Sequence, residues 1–257
     1  MSDSSPIVRT RDRDGIRILS LSKPSANALN AELVETLIAH VAESERDERV
    51  GGLLFESLTP GFFSAGFDVR EVFAYERDAM SAFFKRFVKL YEALLRLPKP
   101  VGGALSGHTV AGGAFLALCF DVRVMAEGDY AFAVNEVKFG AIVPSAVTKL
   151  LIDAVGARVA MQMVLSGDAV APRRALEIGL IDAVAPLAEV TPVALELVTK
   201  LASKPRGAFG LAKRKLHEDL GHLTTSAQPA AIEEFLDQWF SPECAQLRRR
   251  LAERILN

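Results

Sequence analysis

The chain has 257 residues, 50 % of them apolar and 24 % charged, enough to bury a core that offsets its conformational entropy; this excludes disorder as the main state and allows one to two domains. Its 30 basic and 32 acidic side chains leave a formal charge of -2, so there is no basic excess to hold a nucleic-acid backbone. Two cysteines, Cys119 and Cys244, are too few for a disulfide framework or a four-thiolate zinc site, and they suit a reducing cytoplasm.

The opening MSDSSPIVRTRDRDG lacks the apolar stretch of a secretory signal, and its acidic residues do not suit a transit peptide. No apolar run approaches the roughly 18 residues of a membrane span, so a soluble protein without a membrane partner is expected. Asp14-Gly15, between Ile7-Val8 and the alternating residues 16–21, predicts a hairpin. Asn30 reads as the N-cap of a helix on which Leu33, Val34, Leu37, Ile38 and Val41 share a face. A strand follows at 50–55. Residues 60–68, rich in Gly, Ser and Phe, read as a loop, and Phe83, Phe87, Leu90, Tyr91 and Leu94 mark a second amphipathic helix that ends at Pro98 and Pro100. A short strand at 101–105, a loop at 106–111 and a small apolar helix opening at Gly112-Gly113 come next. This alternation predicts an α/β protein whose loops at strand ends carry the chemistry.

Beyond about Leu187 the pattern turns helical, with periodicity over 193–201, 209–216, 232–240 and 247–255 and breakers at Pro192, Pro205, Pro229 and Pro242. The chain therefore divides into a core at 1–190 and a helical region at 191–257 whose apolar faces suit packing on the core or on another subunit.

Three apparent motifs fail on spacing. Gly61 to Gly66 has one residue too many for a G-x-S-x-G elbow around Ser64; His217 and His222 stand five residues apart rather than the four that share a zinc on one helix face; Gly107 to Gly113 lacks the Lys and Ser/Thr of a phosphate loop. His108, in that last loop, reads as bound to backbone. Two glycine-bearing loops remain, around Gly66 and around Gly112, each leading from a strand toward a helix, where glycine lets backbone N–H groups converge and a helix start adds unpaired donors. Alone, either loop is as well explained as a turn.

Phe63-Ser-Ala-Gly-Phe-Asp68-Val69, Ala111-Gly112-Gly113 and Asn135-Glu136-Val137-Lys138-Phe139-Gly140 occur together in the order and spacing of the crotonase superfamily, and the chain resembles an enoyl-CoA hydratase/isomerase from the opening hairpin, through Lys23 to Asn30, to the C-terminal helices. The resemblance implies a spiral of repeated ββα units, a C-terminal helical region that forms a homotrimer or a dimer of trimers, and an acyl-CoA thioester as substrate, with coenzyme A part of that substrate and no separate cofactor or metal. It implies an oxyanion hole from the N–H groups of Phe67 and Gly112, and a CoA-binding loop of Ala65, Gly66, Asp68 and Val69. Where hydratases of the family carry a first glutamate this chain has Phe115, whose ring can neither orient water nor carry a proton. The second glutamate position holds Glu136, and a single carboxylate beside Asn135 is similar to the Δ3,Δ2-enoyl-CoA isomerase branch. Isomerisation by Glu136 is thus expected, with hydration, thioester hydrolysis, C–C cleavage and non-catalytic acyl-CoA binding as alternatives. Burial should raise the Glu136 pKa toward neutrality. Lys23, Lys213, Arg214 and Lys215 are candidate cations for the CoA phosphates, from the same or a neighbouring subunit, and Phe62, Phe73, Phe83, Phe84 and Phe87 candidate walls of an acyl pocket.

Overall fold

In the computed structural model of the chain, residues 6–222 and 229–256 are described; the side chain of His222, one half of the failed zinc spacing, lies outside that description. Asp14 and Gly15 take φ values of 52° and 75°, the left-handed pair of a tight turn, and fold β1 (Val8–Arg13) antiparallel onto β2 (Ile16–Leu21). β2 is buried along its whole length rather than on alternate residues, because Leu19 and Leu21 face one hydrophobic cluster and Ile16 and Ile18 a second on the other side. Asn30 caps α1 (Ala31–Arg46), its side chain accepting from the Leu33 N–H at 3.0 Å.

From there the chain repeats one plan. β3 (Gly52–Ser57), β4 (Phe62–Ser64) and α2 (Arg77–Arg96) form the first turn; β5 (Val101–Leu105), β6 (His108–Val110) and α3 (Gly112–Leu118) the second; β7 (Val122–Ala126), β8 (Phe132–Ala133), a 3-10 turn at Glu136–Phe139 and α4 (Ser145–Val155) the third. The first strand of each turn joins a large sheet, and the second joins a small parallel sheet ordered β4-β6-β8. This is the expected spiral of ββα units. Its consequence for chemistry is local: three parallel neighbours in the small sheet send their carboxyl ends, and the loops at Ala65, Ala111 and Asn135, to the same edge of the fold. The loops expected at 60–68 and 106–111 each contain a three-residue strand, too short to show alternation.

After α5 (Ala157–Ser166) and α6 (Pro172–Glu177), β9 (Ala183–Ala185) closes the large sheet in the order β1-β2-β3-β5-β7-β9. α7 (Val190–Ala202) lays Val190, Ala194, Leu195 and Val198 over Ile16, Ile18, Leu54 and Val124 on the face opposite α1. Pro192, read as a breaker, lies in the first turn of α7, where its missing N–H costs nothing. α8 (Arg206–Leu216) is followed by α9 (Pro229–Trp239) and α10 (Pro242–Leu256). The last two fold back on their own chain: Phe235 of α9 stacks on Phe84 of α2, Arg77 of α2 pairs with Glu233 and Asp237, and the Arg248 guanidinium of α10 lies 4.3 Å from the Trp239 ring centre. Among the described residues no helix is long and apolar enough to cross a membrane.

Candidate active site

The loop after β4 is stitched to the turn before α1 by backbone bonds: Ala65 N–H to Ala26 O at 3.0 Å, Leu29 N–H to Gly66 O at 2.7 Å and Asp68 N–H to Leu29 O at 2.9 Å. Asn27 completes the seam, its amide donating to Phe63 O at 3.0 Å, while Ser25, Ala26 and Asn27 all hold positive φ. Gly66 is required here. Its φ is 86°, and a Cβ would stand 2.8 Å from the Ala111 Cβ, so any side chain would part the two loops.

On the second loop Ala111 sits at φ 50° and ψ -128°, the first central position of a type II′ turn, where glycine is customary. Its own N–H is spent on Ala133 O at 2.9 Å, and the turn aims the start of α3 at the first loop. Gly113 allows that approach, because a Cβ there would meet Ser64 at 2.7 Å. Among the described residues no hydrogen bond uses the N–H of Phe67 or of Gly112, while the Phe67 ring is anchored away from the loop on Phe83 and Phe87, with centres 5.0 and 5.1 Å apart.

The third loop brings Asn135 and Glu136. Glu136 is not on a strand edge but opens the 3-10 turn, 5 % exposed, its Oε2 buried with no hydrogen-bond partner. Burial pushes its pKa up from 4.5 to about 8, as expected in direction. Asn135 Oδ1 is likewise buried and unpaired. A cavity of about 420 Å³ is lined by Ala65, Phe67, Asp68, Val69, Gly112, Asn135 and Glu136 together, with Phe115 also in its wall; Gly66, expected in the CoA-binding loop, is not part of the lining. The expected site residues therefore converge on one space, and its composition, apolar walls with a few convergent polar groups, is that of a small-molecule site.

Other expectations are corrected. Lys23 is buried and bound to Asp68 at 2.5 Å, and Lys213 is buried against Asp121 at 2.7 Å, so neither ammonium faces a ligand. Arg214 and Lys215 lie on α8 and do not line this chain's own cavity, which leaves them only the expected role from a neighbouring subunit. Phe62, Phe73 and Phe84 do line it, whereas Phe83 and Phe87 are core behind Phe67. Sequence reasoning missed Arg70, an exposed member of the cavity lining, and the lining residues from the C-terminal helices, Phe235, Trp239, Leu251 and Ile255. The helical periodicity of α9 and α10 was visible; what their apolar faces cover is a tertiary fact.

Against known proteins, the profile of the enoyl-CoA hydratase/isomerase family matches residues 11–247. The mitochondrial enoyl-CoA delta isomerase 1 of Mus musculus is 27 % identical over 230 residues, 89 % of this chain and 80 % of that one. The mitochondrial enoyl-CoA hydratase of Pongo abelii is 29 % identical over 205 residues, 79 % of this chain and 69 % of that one. The crystal structure of human mitochondrial Δ3-Δ2-enoyl-CoA isomerase matches with a TM-score of 0.94 over 98 % of both chains at 24 % identity, a likeness of fold. A spiral of ββα units and a profile match across most of its length carry one conclusion: the chain belongs to the enoyl-CoA hydratase/isomerase family and has the crotonase fold.

Proposed function

We propose that the chain moves the double bond of a 3-enoyl-CoA to the conjugated 2-trans position. The observation that carries this reading is a buried carboxylate without a partner, Glu136, whose unpaired Oε2 belongs to a cavity that also takes in Phe67 and Gly112, two residues with unused N–H groups. In this mechanism the Glu136 carboxylate takes a proton from C2 and the electrons pass into the thioester carbonyl. The dienolate oxygen is held by the Phe67 and Gly112 N–H groups, and protonated Glu136 returns the proton at C4. A pKa raised by burial suits a group that must first accept a proton and then give it back. Hydration is disfavoured because Phe115, 3 % exposed and in the cavity wall, leaves Glu136 without a second carboxylate to hold water.

The polar part of the cavity lining, Ser25, Asp68 and exposed Arg70, is the proposed contact of the CoA portion, with Arg70 in place of the buried lysines as its cation. A trimer or dimer of trimers belongs to the same proposal, as does a reducing, cytoplasmic setting, which the two buried free thiols support; the mouse and orangutan relatives are mitochondrial by name.

The test is conversion of 3-hexenoyl-CoA to its conjugated isomer, run beside hydration of the 2-enoyl ester, for wild type and Glu136→Gln. Isomerisation should fall by about a hundred- to ten-thousandfold in the variant, with hydration negligible in both. Wild type that binds the ester but does not isomerise it would remove this reading.

A further inference from the structure

The Phe84 and Phe235 rings stack with centres 3.9 Å apart and planes 6° from parallel, each side chain buried. Both line the main cavity, and both also line a second chamber of about 190 Å³, shared with Ile142 and Pro144. The stack is thus a partition between two spaces. Phe84 and Phe235 belong to the aromatic part of the cavity lining and Ser25, Asp68 and Arg70 to its polar part, so a thioester whose charged portion meets the polar residues leaves its acyl tail to the aromatic ones. Behind them the chamber is walled by Val88, Val143, Ala146 and Tyr91, whose buried hydroxyl has no partner among the described residues, and its lining also includes exposed Ser145 and Glu234. The partition joins two helices, α2 and α9, that are held together beside it by the Arg77 bridges to Glu233 and Asp237.

We infer that the Phe84–Phe235 stack is the stop that sets acyl-chain length, and that the chamber behind it is an unused extension of the acyl pocket. The placement of the acyl tail rests on the acyl-CoA reading above. A short acyl chain ends against the rings; a long one must displace an aromatic pair from its contact, losing the attraction that such a pair adds beyond burial. Removing either ring joins the two spaces and gives the terminal methylenes of a long chain an apolar wall.

The experiment titrates hexanoyl-CoA and dodecanoyl-CoA, both saturated and so without turnover, into wild type, Phe84→Ala, Phe235→Ala and the double variant Phe235→Ala/Ala231→Trp. Ala231 lines the chamber one helical turn from Phe235, so the added indole refills it. Each newly buried methylene is worth about fourfold in affinity. The ratio of the two dissociation constants should therefore move toward the longer ester by at least about tenfold in either single variant and return in the double variant. An unchanged ratio overturns the inference, as does a shift that the Ala231→Trp change does not reverse. General loosening of the fold weakens both esters alike and counts as an unchanged ratio. If truncation prevents folding, Phe84→Leu and Phe235→Leu keep apolar bulk without the flat contact and are read by the same ratio. Turnover of 3-hexenoyl-CoA and 3-dodecenoyl-CoA separates the two readings. A shifted binding ratio without turnover removes the isomerase and keeps the stop; turnover with an unshifted ratio does the reverse.

Discussion

Two glutamates in this protein are buried equally, Glu56 and Glu136 each 5 % exposed, and their surroundings do opposite things to them. Glu56, on β3, accepts from Arg11 at 2.5 and 3.0 Å, from the Ser20 hydroxyl at 2.6 Å and from the Thr191 hydroxyl of α7 at 3.1 Å. Burial pushes its pKa up, but these bonds and the Arg11 charge outweigh it and hold the carboxyl below its usual range. Glu136 has the burial without the donors, and its pKa rises to about 8. The comparison teaches that depth alone does not set the proton affinity of a buried carboxylate; the presence or absence of donors does. A satisfied buried charge holds elements together, whereas an unsatisfied one is a cost that folding tolerates where the group has work to do.

The contrast can be broken most visibly through pH. If Glu136 is the base, only its ionised form begins turnover, so kcat/KM should climb about tenfold per unit well below pH 8 and level off above it, roughly fiftyfold between pH 6 and pH 8. A profile flat across that window, with 3-hexenoyl-CoA as substrate, would separate Glu136 from the chemistry. The opposite handle is Glu56→Gln, which removes the charge paired with Arg11 and turns one of the two acceptor oxygens into a donor facing Arg11 or the hydroxyls. Because Arg11 is half exposed, the loss should be about 1–3 kcal/mol of unfolding free energy rather than that of a fully buried pair. Denaturant titration reads it, and turnover per folded molecule should not change.

The same contrast explains what was legible in the sequence. Glu136, Phe67 and Gly112 were readable because three loop motifs kept their order and spacing, and the fold brings them to one cavity because β4, β6 and β8 are parallel neighbours. Lys23 and Lys213 were misread as free cations because charge is visible in a sequence and its neutralising partner is not. Asp68 lies 45 residues from Lys23 and Asp121 lies 92 from Lys213. β4 and β6 were hidden for another reason, since three residues cannot display a period of two. The far wall of the cavity was out of reach altogether. Phe235, Trp239, Leu251 and Ile255 arrive from α9 and α10 through contacts such as Arg248 on Trp239, which depend on how the helices return to the core rather than on their periodicity.

The smallest expected effect tests the cost side of the comparison. With a folded pKa near 8 and an ordinary value of 4.5 in the unfolded chain, Glu136 binds more protons when folded between those limits. Stability from this group is therefore fully present below pH 4.5, declines as pH rises, and is lost once pH passes 8. Glu136→Gln cannot ionise and escapes that decline, so the variant should be more stable than wild type by a margin that grows from pH 5 to pH 9. Each unit by which the folded pKa stands above 4.5 adds about 1.4 kcal/mol to that margin, and any water in the cavity of about 420 Å³ that solvates the carboxylate lowers the pKa, the margin and the pH of the rate plateau together, so a gain of at least about 1 kcal/mol is expected. Thermal unfolding of both proteins at pH 5 and pH 9 measures it. The same melts on Glu56→Gln should show destabilisation at both pH values, since Glu56 is ionised and paired across that range. Were Glu136→Gln also destabilised at pH 9, Glu136 would have donors that hold its charge, and the two glutamates would be structural alike.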